Sequence, residues 1–279
     1  MRHDLADVLP AIRVLLAELE SQQIQYVVLG RQSRIESTLS GLGDLDILVS
    51  REDGGRAEVV LLRLGFREQS PCPGDGAVGN YVKWDTGSGT PVQVQLHREL
   101  RLGFAVAPSF RVPTAGELID GSTLKGLVRV PSASDHLALH VVKGLLAWEA
   151  TDLLAGRRRH PFDSAEVRLL LPHVSEEEFI GSVARVFPPL PWLLAGRIFI
   201  EAQRLHRDES GVAARLRLTM MSMSVRDSLV AWSDRPLLLA WLRSVRRRLT
   251  RLLSRRSHHP RTGRHEASSV DGSEPMPAQ

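Results

Sequence analysis

Gly41-Leu42-Gly43-Asp44-Leu45-Asp46-Ile47-Leu48-Val49-Ser50 decides how this chain is read. The apolar run Leu45–Val49 is a short strand entered through a glycine-rich turn, and alternation along a strand puts Asp44 and Asp46 on one face. Two anions this close repel unless a cation lies between them, and carboxylate oxygens are the ligands that hard divalent cations prefer. An isolated Asp-x-Asp would read better as a polar turn leading into a strand, so the neighbouring segments decide.

Upstream, Gln25-Tyr26-Val27-Val28-Leu29-Gly30 is a β-prone run ending in glycine, and thirteen polar-rich residues separate it from Asp44. That stretch reads as a loop. Downstream, Ala57, Val60, Leu61 and Leu64 recur at helical spacing from Arg51-Glu52-Asp53 until Gly65 stops the helix as a C-cap. Phe66-Arg67-Glu68 then resumes an extended pattern. Tyr81-Val82-Lys83-Trp84 and Val92-Gln93-Val94-Gln95-Leu96 pair as a hairpin across Thr86-Gly87-Ser88-Gly89.

Taken in this order, the segments over roughly residues 10 to 104 resemble the nucleotidyltransferase superfamily. The nearest likeness is to bacterial nucleotidyltransferase-like proteins with a Gly-Asp-x-Asp strand, a later Leu-x-x-x-Gly-Phe and a further strand carrying Asp-Leu-His. The resemblance implies an α+β fold: a nucleotidyltransferase-like mixed β-sheet with flanking helices. It also implies Mg2+ (or Mn2+) held by Asp44 and Asp46, with Gly30, Arg31 and Gly43 near a nucleoside triphosphate. Two departures stand out. The family's Gly-Ser is here Gly30-Arg31, which offers the phosphates a guanidinium instead of a hydroxyl. The family's Asp-Leu-His is here Gln95-Leu96-His97, which replaces the third carboxylate by a neutral amide.

That replacement bears on mechanism, because nucleotidyl transfer normally uses one cation on the triphosphate and a second that activates the attacking oxygen. Glu99 shares parity with Gln95 and His97 and is the nearest substitute acid if the strand runs that far; Glu36 in the upstream loop is another. His97 is a candidate base at neutral pH, although a hydrogen-bonded structural role explains it as well. Two readings follow: a metal-dependent enzyme transferring a nucleoside monophosphate to a small-molecule hydroxyl or phosphate acceptor, or a catalytically degenerate binding or regulatory module of the same fold.

The remainder divides the chain into a nucleotidyltransferase-like domain (1–105), a mostly helical domain (106–256) and a disordered tail (257–279). Val128-Arg129-Val130 reads as an edge strand, and Ser132-Ala133-Ser134-Asp135 caps a helix rich in leucine and valine. Further helices are expected at 164–171, 175–186, 192–206, 211–230 and 236–254. On the capped helix, His136, His140 and Lys143 fall at i, i+4 and i+7. They form either a phosphate- or acceptor-binding face or a polar outer stripe, and no segment offers a third zinc ligand at recognisable spacing. Arg157-Arg158-Arg159-His160 reads as a solvated basic turn.

Composition narrows the functional classes. The chain has 279 residues, 43% of them hydrophobic, enough for one sizeable core or two modest ones. A single cysteine, Cys72, excludes an internal disulfide framework and a cysteine-based zinc cluster. The first residues lack the apolar core of a signal peptide and no run is long enough to span a bilayer, which points to a cytoplasmic protein. The formal charge of +4 is concentrated: nine arginines and no acid lie between Arg243 and Arg264, with three acids beyond, leaving residues 1–242 at about −2. A nucleic-acid partner is therefore disfavoured. The apolar stripe among those arginines is that of a basic amphipathic helix, able to meet a membrane surface or an acidic partner but more commonly packed on its own domain.

Overall fold

A computed structural model describes residues 8–30, 32–69, 77–104, 107–147, 165–206 and 212–233. Its first element is the amphipathic helix α1 (Pro10–Ser21), which buries Ile12, Leu15, Leu16 and Leu19. Strands β1 (Tyr26–Val28) and β2 (Leu45–Val49) follow, joined through a 3-10 turn at Gln32–Arg34 and a short helix α2 (Ile35–Leu39). The expected loop is thus partly helical. Ile35 and Leu39 explain why: spaced i, i+4 in an otherwise polar stretch, both reach the core. After α2 the chain turns at Gly41, with φ +84°, where an added Cβ would stand 2.5 Å from Leu9 Cδ1. Only glycine fits that backbone without strain.

Helix α3 (Gly54–Arg63) returns to β3 (Arg67–Glu68), and the long hairpin β4 (Val78–Asp85) and β5 (Thr90–His97) completes a five-stranded sheet ordered β1-β2-β5-β4-β3. All its pairings are antiparallel except β2 with β5, which run parallel in the register Leu45↔Val94, Asp46↔Gln95, Leu48↔His97. The architecture is α+β with a mixed sheet and flanking helices, as expected. Ahead of α3, the buried Asp53 accepts from Gln25 N and Ser50 Oγ at 2.9 and 3.0 Å and pairs with Arg56 at 2.6 Å. Burial alone would raise its pKa, but these partners together hold it below the ordinary carboxylate value.

Two antiparallel hairpins escape the sequence pattern: β6 (Leu100–Phe104) with β7 (Ala107–Val112), and β8 (Thr123–Lys125) with β9 (Val128–Val130), the short helix α4 (Ala115–Asp120) lying between them. Val128–Val130, read as an edge strand, forms with a partner too short and polar to signal itself. Helices α5 (Ala133–Ala147), α6 (Ala165–Leu170), α7 (Glu176–Val186), α8 (Trp192–His206) and α9 (Val212–Ser228) follow. Local chemistry starts two of them. Ser132 Oγ accepts from Asp135 N at 3.2 Å ahead of α5, and Ser175 with Glu178 forms a reciprocal capping box on α7.

The sheet separates two apolar cores. Tyr26, Val28, Leu45, Ile47, Val49, Val94 and Leu96 join α1, α3 and the β9 valines on one side; Val27 and Leu48 join the β6–β7 hairpin and helices α5 to α9 on the other. Because alternation sends Leu48 into the helical core, it sends Asp46 toward the same side. None of the described helices is long and apolar enough to cross a membrane. Contacts divide the chain after Leu237; the segment beyond it, with the basic helix expected at 236–254 and the tail, lies outside the described residues, as do Arg31, Cys72 and the turn at 157–160.

Candidate functional site

The parallel β2–β5 register sets Asp46 beside Gln95 and Leu48 beside His97, so the acidic strand end and the strand end Gln95-Leu96-His97 share a face. Gln95 Nε2 donates to Asp44 Oδ2 at 3.0 Å. His97 Nε2 stands 3.7 Å from Asp46 Oδ1 and, although buried, makes no hydrogen bond. Asp44 is exposed and the Asp46 side chain is about a third exposed, so both carboxylates keep access to water. Leu29 N donates to Asp46 O at 2.9 Å, which brings Gly30 alongside the start of β2. Gly43 is exposed in the turn before Asp44.

The donor set suits one hard cation. Two carboxylates with access to water match a magnesium-type shell that retains several waters. It does not suit two such cations, because the amide of Gln95 brings no charge and its N–H already occupies a carboxylate oxygen. The condition under which Glu99 would join this face, a strand extending through it, is not met: β5 stops at His97, and the Glu99 carboxylate pairs with Arg101 at 3.0 Å and Arg111 at 3.1 Å. Glu36 lies exposed on α2 and lines an apolar cavity of about 550 Å3 bounded by Ile35, Leu39, Val128 and Leu170, with Lys125 and His173 also on its wall. None of Asp44, Asp46, Gln95 or His97 lines that cavity.

The face His136–His140–Lys143 is resolved by burial into three different environments. His136 is fully buried, His140 half-buried and Lys143 exposed, so the three form neither an outer stripe nor a continuous ligand-facing surface. The reason is the position of α5 against α6. From α6 comes Glu166, also fully buried, whose Oε1 lies 3.6 Å from His136 Nε2, while His136 and His140 approach each other at 3.1 Å through their Nε2 atoms. The opposite oxygen of Glu166 accepts from Ser33 N at 3.2 Å and Ser33 Oγ at 2.8 Å. Burial, aided by Lys125 and opposed by Glu166 and the Gly30 backbone, lowers the His136 pKa to about 4 and keeps the imidazole neutral at physiological pH. A third group able to ligate a metal, which the sequence did not offer at recognisable spacing, stands here as Glu166, 26 residues beyond His140. The i, i+4 histidines signalled two members of the cluster; nothing local signalled Glu166 or Ser33.

No protein-family model matches the chain, and no curated protein matches it significantly. Among solved structures it is similar to a proposed nucleotidyltransferase from H. pylori, at 13% identity over 81% of this chain and 96% of that one, with a TM-score of 0.32. It is likewise similar to JHP933 from Helicobacter pylori, at 13% identity over 85% of this chain and 95% of that one, again with a TM-score of 0.32. Likenesses this distant decide nothing about the chemistry, which rests on the residues themselves.

Proposed function

We propose that this chain is a nucleotidyltransferase that binds a nucleoside triphosphate through one divalent cation at Asp44 and Asp46 and transfers the nucleoside monophosphate to a hydroxyl or phosphate of a small molecule. One observation carries the reading: two carboxylates share a face with a buried, hydrogen-bond-free imidazole nitrogen on the adjacent parallel strand. Magnesium or manganese bound there would neutralise triphosphate charge. Asp44 and Asp46 supply the anionic oxygens, and Gln95 fixes the Asp44 carboxylate by donating to it. In this reading His97 takes the proton of an acceptor hydroxyl as that oxygen bonds to the α-phosphorus and pyrophosphate departs. Gly30 and Arg31 are the proposed triphosphate contacts, and Lys143 is the proposed acceptor contact.

A second reading, a nucleotide-binding module without transfer, is favoured by the Gln95–Asp44 contact, since an amide stands where a catalytic acid is needed. Thermal unfolding and pyrophosphate release separate the two. Mg2+ or Mn2+ with a nucleoside triphosphate is expected to raise Tm, because a ligand of the folded state stabilises it by mass action, about 2.7 kcal/mol at a hundredfold excess over Kd. Asp44→Asn with Asp46→Asn is expected to abolish the shift; an unchanged shift sinks both readings. Given binding, pyrophosphate release by the wild type that is lost in His97→Gln supports the enzyme. Release that appears only in Gln95→Asp supports the module.

A further inference from the structure

We propose that His136, His140 and Glu166 form a second, zinc-class metal site that fastens the turn after β1 to the helical half of the protein. It is independent of the carboxylate pair and uses different chemistry. Zinc bonds of about 2.0–2.1 Å in a tetrahedron place ligand atoms about 3.3–3.4 Å apart. Two of the three separations in this cluster, 3.1 Å between the imidazole nitrogens and 3.6 Å from His136 Nε2 to Glu166 Oε1, bracket that edge length, and turning the half-buried His140 ring would bring the third to it. All three ligand atoms lie within 4.8 Å of one another.

The surroundings match the way metal ligands are held. Ser33 donates twice to Glu166 Oε2, which orients the carboxylate with Oε1 toward the imidazoles. Two imidazoles and one carboxylate select zinc or a similar borderline cation over magnesium, which prefers oxygen ligands and retains its water. Full burial of His136 and Glu166 adds to that selection. The half-buried His140 gives the cluster its side toward solvent, where a fourth ligand, water, completes the tetrahedron. Helix α5 contributes two ligands and α6 the third, while Ser33 belongs to the turn that follows Gly30. A cation here would cross-link three segments far apart in sequence.

The full chain, stripped with chelator, should be titrated with Co2+ and then with Zn2+. One equivalent of cobalt is expected to develop the visible absorption of a four-coordinate ion, and one equivalent of zinc to bleach it. His140→Ala and Glu166→Gln are each expected to weaken binding at least about 100-fold, beyond what loss of an outer-shell partner costs. Circular dichroism checks that each variant is folded, and His140→Ala, at a half-buried position, guards against failure of Glu166→Gln. His258 and His259 are the obvious competing ligands in the sequence, so the double variant His258→Ala/His259→Ala should bind cobalt as the wild type does. The proposal is overturned if the wild type shows no stoichiometric, four-coordinate cobalt, if both site variants bind undiminished, or if binding follows His258 and His259 instead.

Discussion

Asp44 and Asp46 stand at the start of a strand with access to water, whereas Glu166 and His136 are fully buried; Leu29 bonds to Asp46 and Ser33 to Glu166. The exposed pair holds its charges apart by solvent and by one amide hydrogen bond from Gln95. In the second cluster the fully buried Glu166 carboxylate accepts twice on one oxygen from Ser33 and faces neutral imidazole on the other. Burial and ligand chemistry thus separate the two donor sets. The wet, all-oxygen pair suits a hard, hydrated cation for reversible ligand exchange, and the dry, nitrogen-rich cluster suits a cation that stays.

The largest expected effect is a double dissociation. Asp44→Asn with Asp46→Asn should remove the stabilisation by Mg2+ and nucleoside triphosphate while leaving cobalt binding at His136, His140 and Glu166 within twofold; His140→Ala should do the reverse. Loss of both functions in both variants would show one coupled site and break the comparison. Next in size is the effect on stability without metal. Glu166→Ala removes a fully buried side chain together with its Ser33 and His136 contacts and should cost about 2–3 kcal/mol in urea unfolding, against about 0.5 kcal/mol or less for Asp46→Asn in its partly exposed setting. Equal costs would mean that burial does not distinguish the two.

A smaller effect comes from a third carboxylate, Asp53, pinned by Gln25, Ser50 and Arg56. Its folded pKa lies below its unfolded value of about 3.9, so the unfolded chain takes up the proton first as pH falls. Its contribution is complete above that unfolded value and is lost as pH falls through the folded one. Asp53→Asn should therefore flatten the acid limb of the stability curve below about pH 4 relative to wild type. An acid limb as steep in Asp53→Asn as in the wild type would show that these partners do not hold the carboxylate.

What could be read in the sequence follows the range of the forces involved. Strand alternation and helical spacing are local, so β1, β2, the β4–β5 hairpin, α3 and the helices from α5 to α9 were legible. So was the common face of Asp44 and Asp46. The parity argument also put Gln95 and His97 on one face of β5, but only the parallel register, a long-range fact, set that face beside the aspartates. Hairpins β6–β7 and β8–β9 were missed because Arg101, Arg111 and the exposed residues Thr123 to Lys125 dilute the apolar pattern. His136 looked like a surface residue because polar side chains usually are. Its burial depends on Glu166 arriving from α6, which no spacing rule encodes.

The single parallel pairing has a consequence in time. Asp46 and Gln95 are about 50 residues apart in sequence, whereas the other neighbour of β5, β4, joins it through a short turn. During synthesis the acidic strand leaves the ribosome well before its partner exists, with β1 alone to pair with. Its two carboxylates then carry neither the Gln95 hydrogen bond nor the His97 neighbour. The assembled face is consequently a late product of folding, gained in one step when the finished β4–β5 hairpin docks against β2. A variant that weakens the hairpin turn, such as Gly89→Val at φ +69°, should slow the appearance of nucleotide binding during refolding more than it slows burial of α1 against α3.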